Sequence, residues 1–389
     1  MYLDNAATSS PKPESVYQGM DRFLREVGAN PGRSAHRLAV SAASAVAQTR
    51  RLLARFFNAP APERVAFTLN ATDALNLALK GVLKPGDHVV TTSMEHNSVA
   101  RPLRKLEAAG VAVTFLAASP EGRVAVEDLA AALTAATRLV AITHASNVTG
   151  TLQPIAEVGR LCRERGVLLL VDAAQTAGVY PIDIRAMGIH LLAFPGHKGL
   201  LGPPGTGGLI VDEGLCLDTV REGGTGSQSE SDQQPDWMPD RLEVGTLNTV
   251  GIAGLGAGLR FIEQTGRERI QEQEQLLVQR LLRGLAAIPG AALYGPPPGA
   301  ERASVVSFNL ERWEPQDAAA ALDATFDIQC RAGLHCAPLA HRSIGTFPAG
   351  TVRFSPGFFN TETEIDMAVE AVRQLAAGLG AVQAGRRGT

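Results

Sequence analysis

Seven short runs of continuously apolar, largely β-branched residues set the terms on which this chain can fold: "VAFTL" (65–69), "HVVTT" (88–92), "AVTFL" (112–116), "LVAIT" (139–143), "VLLLV" (167–171), "LLAF" (191–194) and "GLIV" (208–211). A strand that is apolar at every residue is covered on both faces, so these runs read as strands of a sheet held between helices. Stretches apolar at i, i+3 and i+4 lie between them, such as "DALNLALKGVL" and "IAEVGRLCRERG", the second closing on a Gly suited to a helix C-terminus. The alternation predicts an α/β architecture. "GGTGSQSESDQQPDWMPDR" (223–241) interrupts it with polar and small residues, and a long helical stretch then runs over 251–288, which places a change of domain near residue 260. "YGPPPGAER" (294–302) reads as a loop and "QAGRRGT" as a frayed tail.

With 389 residues, 45% of them hydrophobic, the chain has material for one large core and a smaller companion domain. The formal net charge of −3 offers no basic field for nucleic acid or an anionic membrane, which favours a small metabolite as partner. The opening "MYLDNAATSSPKPES" has an acid at its fourth residue and no apolar core, and no run approaches the roughly 18 apolar residues of a membrane span, so the expected setting is cytoplasmic. Cys162, Cys216, Cys330 and Cys336 are too scattered for a disulfide framework and form no C-x-x-C pair, so no metal site is expected.

Ligands of open α/β sheets gather outside the carboxyl ends of the strands, which turns attention to the residues that follow each run. "NATDALNLAL" follows the first, and there Thr72 can cap a helix whose free amides would hold a phosphate or can simply cap it. "SMEHNSV" brings His96, which alone reads as readily as a solvated loop histidine, and "HASNVTG" brings Asn147. Asp172 stands directly after five apolar residues, where a carboxylate is costly to bury without a cation. Lys198, in "FPGHKGLLGPPGTGGLIV", is set between a histidine and a run of glycines and prolines. A tight apolar turn lowers a lysine's pKa and favours the free amine that forms a Schiff base, although Lys198 alone reads equally as a surface lysine. An acid, a phosphate cradle and a Schiff-base lysine together describe a pyridoxal phosphate site, where the acid pairs with the pyridinium nitrogen.

"YLDNAAT", "NATDALNL", "MEHNS", "THASNVTGT", "VDAAQ", "GHKGLLGPPG", "VGTLNT", "RAGLHCAPL" and "VRFSPGFFNTETEID" together resemble the class V (fold type I) aminotransferase family, and within it the cysteine desulfurases and selenocysteine lyases. The resemblance runs from residue 2 to about residue 380. It implies a large domain over 15–260 built on a mainly parallel seven-stranded sheet, a smaller α+β domain from 1–14 and 261–380, a flexible tail at 381–389, and a homodimer with shared active sites. It also implies pyridoxal 5'-phosphate on Lys198, with His96 stacked on the ring, Asp172 on its nitrogen, and Asn147 and Gln175 by its hydroxyl. Phosphate binding falls to Ala71, Thr72 and His197, with Thr246 reaching over from the other subunit. Arg353 matches the arginine for the substrate carboxylate, His36 a histidine on the substrate side, and Arg331 an arginine near the thiol. Pro195 departs from the pattern, since a hydroxyl-bearing residue usually stands two before the lysine and bonds the phosphate; proline has no donor to offer.

The implied activity is conversion of L-cysteine to L-alanine, with the sulfur kept as a persulfide on Cys336 for a sulfur-acceptor protein. A thiolate needs an electropositive, accessible setting, which Arg331 and His335 are near enough in sequence to supply. Cys162 and Cys216 read as small buried hydrophobes, and Cys330 as either core or a spare thiol. The alternatives are a lyase acting on L-selenocysteine, a transaminase, epimerase or other lyase that does not need Cys336, and a non-catalytic relative. The short segment from Cys336 to Arg353 resembles the desulfurase branch with a compact thiol loop, whereas "RFSPGFFNTETEID" is closer to the other branch.

Overall fold

The computed structural model describes residues 1–32, 36–228 and 230–378. All seven apolar runs are strands: β1 (Val65–Thr68), β2 (His88–Thr92), β3 (Ala112–Leu116), β4 (Thr137–Thr143), β5 (Leu168–Asp172), β6 (Leu191–Pro195) and β7 (Gly207–Val211). They form one sheet in the order β1-β7-β6-β5-β4-β2-β3. Only β7 runs against its neighbours, so the carboxyl ends of the other six strands share one edge.

The continuous apolar character of the strands is explained by what covers each face. Val140, Ile142, Val171 and Phe194 pack with Leu53 and Phe57 of α2 (Arg37–Phe56) and its end, Val158 of α6 (Ile155–Arg165) and Leu255 of α7 (Thr249–Thr265). Leu139, Ala141, Leu170 and Ala193, their alternates along the same strands, pack with Leu75 and Leu79 of α3 (Ala71–Val82) and Leu103 of α4 (Asn97–Glu107). Successive side chains thus enter different cores. Each fully buried aliphatic or aromatic side chain contributes roughly 1.5–3 kcal/mol. The helix α1 (Glu14–Glu26) packs on α7, and α5 (Val126–Ala132) lies beside α6.

The helical stretch over 251–288 divides in two. Gly266, at φ 88, ends α7 and opens α8 (Arg267–Ala286), a backbone turn that glycine adopts without strain. The helix α8, with α9 (Pro315–Phe326) and α11 (Glu362–Ala376), covers a second, antiparallel sheet of β8 (Ala291–Tyr294), β9 (Val306–Leu310), β10 (Arg331–Gly333) and β11 (Thr351–Phe354), ordered β10-β11-β9-β8. Leu3, Leu281, Phe308, Phe354 and Val372 share its core. The short α10 (Pro338–Ser343) follows Cys336. Among the described residues, 223–241 hold no helix or strand. The expected tail at 381–389 and residues 379–380 lie outside the described residues.

Two expectations about cysteines meet different outcomes. Cys162 is fully buried in α6, as a small hydrophobe. Cys216 is exposed, because the apolar run ends at Val211 and the following turn buries Leu217 while leaving the thiol outside. Cys330 is half-buried just ahead of β10, and burial pushes its thiol up to about 12.

Candidate active site

The residues after β1, β2, β4, β5 and β6 meet in one cavity of about 220 Å3 at the shared carboxyl edge. Ala71, Thr72, His96, Asn147, Asp172, Gln175, His197 and Lys198 line it from the large sheet, and Arg331 and Arg353 reach it from the neighbouring strands β10 and β11, where they are paired residues. Pro195 also lines it, without a donor, as its residue type dictates. His36, Thr246 and Cys336 do not line the cavity. His36 caps α2, its Nδ1 accepting from Ala39 N at 3.3 Å. Thr246 lines a separate concavity of about 230 Å3 with Glu243 and Asn248.

The cap of α3 is Asn70, not Thr72: the Asn70 Oδ1 accepts from Asp73 N at 2.9 Å, and Thr72 lies within the first turn. That leaves the Ala71 and Thr72 amides without intrahelical acceptors, at the positive end of the helix dipole. The Thr72 hydroxyl instead meets Ser98 Oγ at 2.7 Å, which meets His96 Nδ1 at 2.7 Å. Ser98 N also donates to His96 Nδ1, at 3.0 Å. Nδ1 is therefore the acceptor, which puts the ring proton on Nε2. Burial first, then the cations Lys198 and Arg331, push His96 down to about 4, so the ring is neutral at pH 7.

Asp172 is buried, and among the described residues its carboxylate accepts one hydrogen bond, from Ala174 N at 2.9 Å. Burial raises its pKa, opposed by the Ala174 amide and by Lys198. Burial likewise pushes Lys198 down to about 8, against the pull of Asp172. His197 is pushed down to about 4 by burial, and its Nδ1 is buried without a partner among the described residues. A buried carboxylate short of partners, an amine near neutrality, an unpartnered imidazole nitrogen and two free amides are the complement of a protonated ring nitrogen, a carbonyl and a phosphate. The cavity fits the cofactor that the sequence implies.

Arg353 is 1% exposed, donating from Nη2 to Asp4 Oδ1 at 2.6 Å and from Nη1 to the Asn147 carbonyl at 3.1 Å. Its Nε has no partner among the described residues. Cys336 is exposed beside this cavity, with Arg331 Nη2 3.2 Å from its Sγ. Two successive left-handed residues, His335 (φ 47) and Cys336 (φ 58), form its turn. Asn147 Nδ2 holds the His335 carbonyl at 2.7 Å and Asn97 N holds the Cys336 carbonyl at 2.8 Å. His335 does not add charge to the thiol as expected: burial, then Arg353, push it down to about 2, and the neutral ring bonds Thr351 Oγ1.

Four residues of this region escaped the sequence reading. Asp4 had been noticed only as an acid at the start of the chain, and Ser98 and Lys12 carried no signal. Glu95, adjacent to His96, is fully buried and pushed up to about 8 by burial, accepting from Thr92 Oγ1 and Thr143 N.

The family described as Aminotransferase class-V matches residues 1–367. A probable cysteine desulfurase of Methanothermobacter thermautotrophicus is 37% identical over 386 residues, covering 98% of this chain and 95% of that protein. A cysteine desulfurase of Salmonella dublin is 35% identical over 389 residues, covering 97% and 94%. Among solved structures, the apo cysteine desulfurase of Thermococcus onnurineus NA1 superposes with a TM-score of 0.91 at 34% identity, covering 97% of this chain and 95% of that one. The cysteine desulfurase CsdA of Escherichia coli, in its S-sulfonic acid form, gives 0.87 at 28% identity, covering 97% and 94%.

Proposed function

This chain belongs to the class V aminotransferase family and, within it, to the cysteine desulfurases; on that premise we propose that Lys198, Asp172 and His96 hold its cofactor and that Cys336 receives the substrate sulfur. The enzyme depends on pyridoxal 5'-phosphate. The observation that carries the residue assignment is the single cavity lined by Lys198, Asp172 and Arg353, with the Cys336 thiol 3.2 Å from Nη2 of Arg331, which also lines it.

Bound in this cavity, pyridoxal phosphate supplies a carbonyl that condenses with amines and a ring that withdraws electrons from Cα. Asp172 would hold the proton on the ring nitrogen. His96, neutral and with its Nδ1 fixed by Ser98, would hold the ring. His197 Nδ1 and the Ala71 and Thr72 amides would bind the phosphate, and Asn147 and Gln175 would serve the ring hydroxyl. Arg353 takes the α-carboxylate of L-cysteine in its planar fork, sharing it with Asp4. Lys198 Nζ, close to neutrality, accepts the Cα proton. The Cys336 thiolate then attacks the substrate sulfur: the S–S bond forms, the C–S bond breaks, and its electron pair stays on the carbon side. Protonation of that carbon, and return of the Cα proton from Lys198 Nζ, release L-alanine, so L-cysteine and the Cys336 thiol become L-alanine and a Cys336 persulfide. Arg331 Nη2 donates to the Cys336 Sγ that makes this attack.

The same reading extends to a homodimer in which Thr246 completes the partner's phosphate site, to a protein acceptor for the persulfide, to L-selenocysteine as a second substrate, and to a cytoplasmic setting that keeps Cys336 reduced. No helix among the described residues is long and apolar enough to cross a membrane. Incubating the purified protein with L-cysteine and with L-selenocysteine, and measuring alanine together with sulfide or selenide, tests the reading. Absence of alanine from both substrates sinks it.

A further inference from the structure

The N-terminal segment 2–12 runs from the second sheet to the Lys198 turn and is bonded at both ends. At the first end Leu3 N donates to the Gln329 carbonyl, Asn5 N to the Ser355 carbonyl, and Asp4 meets Arg353. At the second, Ser9 N and Thr8 Oγ1 each donate to the His197 carbonyl at 3.1 Å. Lys12 Nζ donates to that same oxygen at 2.7 Å and to Ser9 Oγ at 2.6 Å, and Ser9 Oγ donates to the Lys198 carbonyl at 2.9 Å.

A carbonyl has two lone pairs, so the four donors on the His197 oxygen, the fourth being Ser9 Oγ at 3.2 Å, more than saturate it, and the Lys12 bond is the charge-assisted one. Lys12 is partly buried, which holds it down to about 8, and it pairs with no carboxylate among the described residues. Removing an ammonium from water is costly unless it gains hydrogen bonds, and those Lys12 gains go to the lysine turn and to the serine that grips it.

We propose that Lys12 is a positioning residue for Lys198: with Thr8 and Ser9 it fastens the His197–Lys198 turn, and the strap 2–12 sets the lysine amine at a fixed distance from Arg353. The proposal rests on the roles given above to Lys198 and Arg353. It makes the N-terminal segment a working part of the site rather than a trailing end of the small sheet.

The chain has only five lysines, 12, 80, 84, 105 and 198, so acetylation of the apoprotein with limiting acetic anhydride can be followed lysine by lysine by mass spectrometry. In Lys12→Met the Lys198 rate should rise about fivefold, the scale of one lost hydrogen bond, while Lys80, Lys84 and Lys105 react as before. Lys12→Arg should restore the wild-type rate. Ser9→Ala, which keeps the charge, should move the Lys198 rate in the same direction. In the loaded enzyme Lys12→Met should lower kcat with KM for L-cysteine unchanged. An unchanged Lys198 rate in both Lys12→Met and Ser9→Ala overturns the proposal, as does a rise shared by all the lysines. Borohydride reduction of the loaded wild type separates the two ideas: cofactor fixed to a lysine other than 198 refutes the site assignment, whatever the acetylation rates show.

Discussion

Burial, with Arg353 and Arg331 nearby, holds Lys198 down to about 8, while Asp172 and Asp4 pull the other way. The unfolded chain keeps a lysine near its ordinary 10.5, so between these values the native protein binds fewer protons than the unfolded one and its stability rises with pH. Below about 8 the burden is complete, worth at most about 3.5 kcal/mol at roughly 1.4 kcal/mol per unit. Lys198→Met should therefore stabilise the apoprotein at pH 7, and the gain should shrink as the pH climbs from 8 toward 10.5. Urea unfolding at a series of pH values measures it, and a gain independent of pH would contradict the assignment of the burden to this amine. Lys198 and Asp172 were picked out in the sequence because both follow apolar runs that end on one sheet edge, and it was their combination with a phosphate cradle, not Lys198 alone, that pointed to the cofactor. His36 was matched by resemblance, and the structure adds that one ring nitrogen accepts a helix amide, a use for histidine that residue type alone does not announce. Lys12 was silent because its distant partner is a main-chain carbonyl 185 positions away, which residue type does not announce.

The proposed phosphate end of the cavity depends on how α3 begins. Asn70, as the cap, uses its side chain on Asp73 N and so leaves the amides of Ala71 and Thr72 facing the cavity. Asn70→Ala should cost about 1 kcal/mol of stability and, by fraying the first turn, weaken cofactor binding. Fluorescence titration of the apoprotein with pyridoxal phosphate measures the second effect; unaltered affinity would separate the cap from the cradle. The strands were readable because continuous apolar runs follow from having a core on each side. The start of α3 was off by two residues, since Asn and Thr are both good caps and only the backbone chooses between them. The break at Gly266 was hidden because apolar periodicity continues on both sides while the partner changes from α1 and α2 to α11. A histidine beside a thiol suggested charge in the same way, and burial removed it.

Across the whole molecule, the first residues of the chain, the large sheet and the second sheet each supply part of one site: Asp4, Lys198 and Arg353 come from these three regions. Thr246 lies outside the cavity of its own chain, and the proposed homodimer would use it in the site of a second copy. Mixed dimers of Lys198→Ala and Thr246→Ala should then contain one site with both residues intact. Activity should exceed that of either variant alone once subunits exchange, and no recovery after proven exchange would mean that sites are not shared. The claim on which the account turns is that Cys336 takes the sulfur. Wild-type enzyme treated briefly with L-cysteine, alkylated and digested should carry one added sulfur on the peptide with Cys336 and none on those with Cys162, Cys216 or Cys330. Cys336→Ser should bind cofactor normally and release no alanine from L-cysteine. Alanine and sulfide formed by Cys336→Ser at the wild-type rate would contradict it.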